Sequence, residues 1–138
     1  MKREIVTTLA LDGEREYKKA LSDAARQLRV LGSELKATES AFGDNTDSVE
    51  ALTAKSKILR KEIDQQEEIV KSLRKAVDEA AEKYGEADKR TDGYRIQLNN
   101  ATTALNRMSS ELGTTEQRID EMERSLRDAT DVTEDLET

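Results

Sequence analysis

The amino-acid sequence predicts an all-α protein of long helices that share one heptad register. Three observations predict it. A hydrophobic repeat with alternating three- and four-residue spacing runs through almost the whole chain, proline is absent, and only two short segments carry turn chemistry. The expected topology is an antiparallel helical hairpin or coiled coil with a short extended N-terminal segment. The alternative is a continuous, straight coiled-coil rod.

The register is set by Tyr17 and Leu21. Its first stretch is Tyr17, Leu21, Ala24, Leu28, Leu31, Leu35, Thr38 and Phe42. The second is Val49, Leu52, Ser56, Leu59, Ile63, Gln66, Val70, Leu73, Val77, Ala80 and Tyr84. The third is Tyr94, Leu98, Ala101, Leu105, Met108, Leu112, Thr115, Ile119, Met122, Leu126, Ala129, Thr133 and Leu136. With Asn45, Ala87 and Thr91 in the gaps this makes 35 positions, none charged, where a chain 38% charged would place about 13 without patterning. Such a seam packs against other helices. Ser56, Gln66, Thr115 and Thr133 are polar seam positions, of the kind that fix register or oligomer number at some cost in stability. On the other faces Glu67–Lys71, Glu79–Lys83, Asp120–Arg124 and Glu123–Arg127 are acid-first i,i+4 pairs on solvated surface.

Residues 1–13 read differently. Ile5, Val6, Thr7 and Thr8 are β-branched, and Asp12-Gly13 punctuates them, which predicts an extended or strand-like segment. A first helix is expected near 14–42. It closes at Phe42-Gly43, and Gly43, Asp44, Asn45 and Asp47 form a hinge. Asp47 with Glu50 three residues on reads as a cap and capping box, opening a second helix near 47–84. Tyr84-Gly85 repeats the aromatic–glycine ending and makes Gly85 a second hinge. Asp88 or Thr91 then caps a third helix near 88–137. Phe42 to Tyr84 and Leu52 to Tyr94 are both 42 residues, six heptads, a weak internal repeat.

Composition narrows function by exclusion. The 138 residues make room for one domain, and one Phe, three Tyr and no Trp argue against a large globular core. With no His or Cys there is no imidazole base, thiol nucleophile or disulfide framework. No catalytic residue, cofactor site or metal site is expected. Asp44, Thr46, Ser48 and Glu50 mimic the start of a calcium loop, but Val49 and Lys55 stand where it needs Gly and Glu. No apolar run approaches the roughly 18 residues of a membrane span, and the N-terminus is too polar for a signal peptide, so a soluble, cytoplasmically made chain is expected. Residues 1–90 carry 18 basic and 19 acidic side chains, whereas 91–138 carry 5 and 11. So acidic an end repels nucleic acid and anionic lipid, and neither is an expected partner.

Three stretches carry a specific resemblance: LDGEREYKKAL (11–21), LGSELKATESAFGDNTDSVEALTAK (31–55) and KYGEADKRTDGYRIQLNNATTAL (83–105). Together, over roughly residues 5–112, they resemble the N-terminal region of tail tape-measure proteins of long-tailed phages and prophages of Gram-positive bacteria. The matching residues are helix boundaries and seam positions, so no catalytic residue is carried over. The resemblance implies a long, helical, multicopy protein that sets tail length. It implies tail assembly chaperones and the tail-tube protein as partners, and a path from the host bacterial cytoplasm to the lumen of the virion tail. The pattern is still running at Leu136-Glu137-Thr138, and the chain is expected to be an N-terminal fragment. Self-association into a homo-oligomer is expected where the longest helix outruns its neighbours, around Leu126 and Leu136. A coiled-coil scaffold or spacer of cellular origin is the competing function.

Overall fold

The computed structural model describes residues 11–137, with side chains through residue 131. Three α-helices account for most of it: α1 (Glu14–Phe42), α2 (Val49–Tyr84) and α3 (Lys89–Glu137). A single 3₁₀ turn, Gly43–Asn45, lies between α1 and α2, and there is no strand among the described residues. The protein is all-α. The expected extended segment lies, for residues 1–10, outside the described residues. Leu11 is buried and Asp12-Gly13 forms the turn that enters α1.

Each boundary has a local cause. α1 opens with Glu14 and Glu16, which suit the positive end of the helix dipole. It stops at Gly43, whose φ of 56° lies in the region that glycine enters without cost, and whose N–H closes onto the Glu39 and Ser40 carbonyls. α2 starts two residues later than the sequence suggested. Its cap is Ser48, in extended backbone, whose hydroxyl accepts the Ala51 N–H at 3.2 Å. Asp47 does not cap, and the expected box with Glu50 does not form. The Asp47 carboxylate instead accepts from the Arg118 guanidinium of α3 at 2.6 Å, a charge-assisted bond that takes it off the helix end.

The second turn is sharper. Gly85 has φ 100° and ψ 153°, a conformation closed to residues with a Cβ, and its N–H caps the Ala81 carbonyl at 3.0 Å. Asp88 then opens α3, its carboxylate accepting the Arg90 N–H at 2.8 Å. Thr91 is not the cap. Fully buried, it donates its hydroxyl to the Gly85 carbonyl at 2.8 Å and pins the turn from inside.

Contacts between helices show the chain doubling back at both turns. Gly13 and Tyr17 at the start of α1 meet Glu79 near the end of α2, while Thr38 and Phe42 at the end of α1 share a pocket with Ala51 and Leu52 at the start of α2. From α2 to α3, Lys55 meets Glu111 at 3.1 Å and the Gln66 amide meets the Ala101 carbonyl at 2.9 Å. A straight rod would hold all of these pairs far apart.

α1 and α3 both pack along α2, which is the middle of the molecule. Among the described residues, eight of the twelve buried apolar side chains lie on α2, so the core runs along this helix. Its buried set includes the seam residues Leu52, Leu59, Val70, Leu73 and Ala80, but also Ala51, Ile58 and Ala76, which are off the seam. A single heptad stripe is therefore too narrow for α2. A helix flanked on both sides needs a wider apolar arc than one at an edge. Val70, Leu73 and Ala101 form a buried cluster, with Leu21 of α1 and Tyr94, Leu98 and Leu105 of α3 against it.

Two outcomes check this fold. Spin labels at Lys36 and Lys55 should lie roughly 10–15 Å apart, as neighbouring helices require. A continuous helix would place those backbones about 28 Å apart. Replacing Gly85 with Ala should destabilise the protein by about 1–3 kcal/mol in denaturant titration, because open space around it leaves backbone strain as the cost.

Candidate functional site

The seam is the largest feature the sequence singled out, and the structure places it plainly. From Tyr17 to Met122 each of its named apolar and aromatic members is buried or half-buried: Tyr17, Leu21, Leu28, Leu31, Leu35, Phe42, Val49, Leu52, Leu59, Ile63, Val70, Leu73, Val77, Tyr84, Tyr94, Leu98, Leu105, Met108, Leu112, Ile119 and Met122. Leu126 is the exception, 61% exposed, and the side chain of Leu136 lies outside those described. The hinge residues Gly43, Asp44, Asn45, Asp47 and Gly85 are all exposed.

Polar seam residues divide by what they bond. The Ser56 and Thr115 hydroxyls return to carbonyls of their own helices, those of Thr53 and Glu111, at 2.9 and 2.8 Å. Such local bonds satisfy a buried group without saying which neighbour belongs opposite. Gln66 differs. It is 5% exposed, and its Nε2 donates across the interface to the Ala101 backbone carbonyl. That bond joins α2 to α3 at the level of Ala101, where a small side chain lets the backbone come within reach.

At the end where α1 begins, Glu79 of α2 accepts the Gly13 N–H at 3.3 Å and the Tyr17 hydroxyl. Gly13 cannot cap α1 with a side chain, so the carboxylate that faces the first turn comes from another helix. The bond to Glu79, then burial, push the Tyr17 hydroxyl up to about 12, and burial also raises Tyr94 beside it. Arg90 lies 3.6 Å over the Tyr84 ring and forks onto Asp88 at 2.9 and 3.0 Å, which holds that carboxyl down at about 2. All three tyrosines of the chain gather at this end. Sequence reasoning assigned Glu79 to a surface pair with Lys83. Its position seven residues beyond Ser72, on a stripe with Ala51, Ile58 and Gln65, was the available sign that it faces α1.

Other expected surface pairs are not made. Among the described residues, Glu67–Lys71, Asp120–Arg124 and Glu123–Arg127 are not ion-paired, and the salt bridges from α2 to α3 are Lys55–Glu111 and Arg60–Glu116. Glu62 is the one strained member of this surface. One of its carboxylate oxygens is buried without a partner, and burial, then nearby Glu111, push its carboxyl above the usual range.

None of this is reaction chemistry. Among the described residues no three metal-binding side chains come together, and no helix is long and apolar enough to cross a membrane. The distinctive surface is the far end of α3. Arg118 meets Asp47 beside the first turn, and from residue 119 to Glu137 about the last 28 Å of α3 runs past it, first against the start of α2 and then, beyond Leu126, with no helix alongside among the described residues. Met122 and Leu126 there form an open groove with Val49 and the start of α2.

The class this arrangement defines is an all-α protein of long packed helices with one end uncovered. Comparison with family models, curated proteins and solved structures gives no match.

Two measurements bear on these groups. Tyr17 is held in its protonated form, so its contribution is complete below the ordinary tyrosine value of 10.0 and is lost as pH rises toward about 12. Tyrosinate absorbance should show one residue titrating late, and the Glu79→Gln variant should bring it back toward 10. Glu62→Gln should raise the melting temperature at neutral pH, where the wild-type carboxylate is charged against its surroundings. That gain should shrink as pH falls and Glu62 takes up its proton.

Proposed function

We propose that this chain is a structural protein that works through helical self-association, and specifically the N-terminal segment of a phage tail tape-measure protein. The supporting observation is the projecting end of α3, which leaves Leu126 exposed in a molecule with no assembled chemical site among its described residues. A helix left bare on its apolar side gains stability from a second chain. The resemblance of residues 5–112 supplies the tail. In that setting the chain acts during assembly in the host bacterial cytoplasm and later lies in the virion tail lumen. Tail assembly chaperones coat it, and the tail-tube protein polymerises around it. It has no enzymatic activity, cofactor, nucleic-acid contact or membrane contact in this role.

The hinge at Gly43–Asp47 has a place in the same reading. The register keeps its phase across the turn, so straightening here joins α1 and α2 into one continuous seam. The folded-back form belongs to the isolated chain and the straight form to the assembled tape.

Deleting one 42-residue repeat in frame from the phage gene tests the reading. An extended helical tape predicts tails shorter by about 63 Å in electron micrographs. Tails of unchanged length would overturn it. A cellular scaffold, the second reading, predicts no tail-tube and chaperone genes beside this one.

A further inference from the structure

The outward face of α1 carries a pattern that neither the seam nor the turns use. Positions 15, 19, 22, 26, 29, 33, 36 and 40 recur at alternating spacings of four and three, so they form one stripe along the helix. Only Arg, Lys and Ser occupy them, five basic residues and three serines, and every one is exposed. Arg26 pairs with Asp23 of its own helix at 3.5 Å, and among the described residues the other four basic side chains make no ion pair. Beside the stripe stands Val30, 48% exposed and one of the large apolar side chains left in solvent.

The projecting end of α3 has the opposite character. Residues 119–137 carry eight acidic and two basic side chains, and their apolar side exposes Leu126. From Arg15 to Lys36 the stripe is about 32 Å long, close to the roughly 28 Å of the projection. We infer that the acidic projection of α3 in one copy docks along the basic outer stripe of α1 in a second copy, with Leu126 set against Val30. The projection cannot reach its own stripe. It starts at the level of the first turn, where α1 has already ended, and it stays helical to Glu137 without reversing. Two projections are poor partners for each other, because each is strongly acidic. A nucleic acid or an anionic membrane would meet the stripe but also a chain of net charge −7. The docked faces differ, so each copy offers one of each and the contact propagates head to tail.

This inference rests on the self-association in the proposed function and is independent of the tail. Light scattering on the full chain, in about 10 mM and about 1 M salt, reads it first, since screening shortens from about 30 Å to about 3 Å between them. Association should weaken at least about tenfold in high salt. The variant Arg26→Glu/Arg29→Glu should associate at least about tenfold more weakly alone, as should Glu121→Lys/Glu123→Lys, because each strips most of the charge from one of the two docked faces. Mixed together they should associate more strongly than either does alone, since the unaltered projection of the first still fits the unaltered stripe of the second. If wild type is monomeric at high micromolar concentration and low salt, both the inference and the self-association fall. If wild type associates but the stripe variant associates equally well, or the mixture associates no better than the variants apart, this inference alone falls.

Discussion

Everything in this fold depends on α2 having a neighbour on each side. A helix in that position must be apolar over a wide arc, and it mixes bulky residues with alanines where another backbone comes close. Ala76 and Ala80 are completely buried, and Ala101 of α3 is nearly so. Small residues at these points bring the helices together, and Leu59 and Leu73 fill the remaining space. α1 and α3 need only one covered face each. They keep charged outer faces and contribute much less to the buried set. The close approach at Ala101 also puts its carbonyl within reach of Gln66, so close packing and the bond between helices come from the same place.

Much of this was legible in the residues. The alternation of three and four gave the all-α class. Phe42-Gly43 with the polar residues after it gave the first turn, and Tyr84-Gly85 marked the place of the second without deciding that the chain bends there, because a helix end against a core is commonly an apolar residue followed by glycine. The third helix was placed within one residue of its start. Less legible were the features that depend on which helix lies in the middle. Nothing in a periodic pattern says that α2 has two partners, so Ala51, Ile58 and Ala76 went unassigned to the core. Glu79 was hidden for the same reason: its partners are 62 and 66 residues away in sequence. The capping error had a local cause. Asp47 and Ser48 are adjacent and both suited to a helix start, and Arg118, 71 residues away, decided between them.

Charge is distributed along the molecule rather than merely over it. The tyrosine end joins all three helices through Glu79, Tyr84, Arg90 and Tyr94, so its polar groups are spent on holding the fold. The opposite end carries most of the excess negative charge and little internal pairing. One pole is closed and the other is open. In the proposed self-association, that asymmetry makes the open pole, with Leu126 and its acidic flanks, the place of contact.

An odd number of helices has a mechanical consequence. Leu11 sits at the tyrosine end and Glu137 at the tip of the projection, so the two ends of the described chain leave from opposite poles. A pull between them runs along the helix axes. It loads the contacts of α1 and α3 with α2 in shear, many side chains at a time, instead of peeling them apart one turn after another. Four helices would bring both ends to one pole and give the weaker, unzipping geometry. This chain is laid out like a lap joint in rope, and it is strongest along the direction in which it is longest.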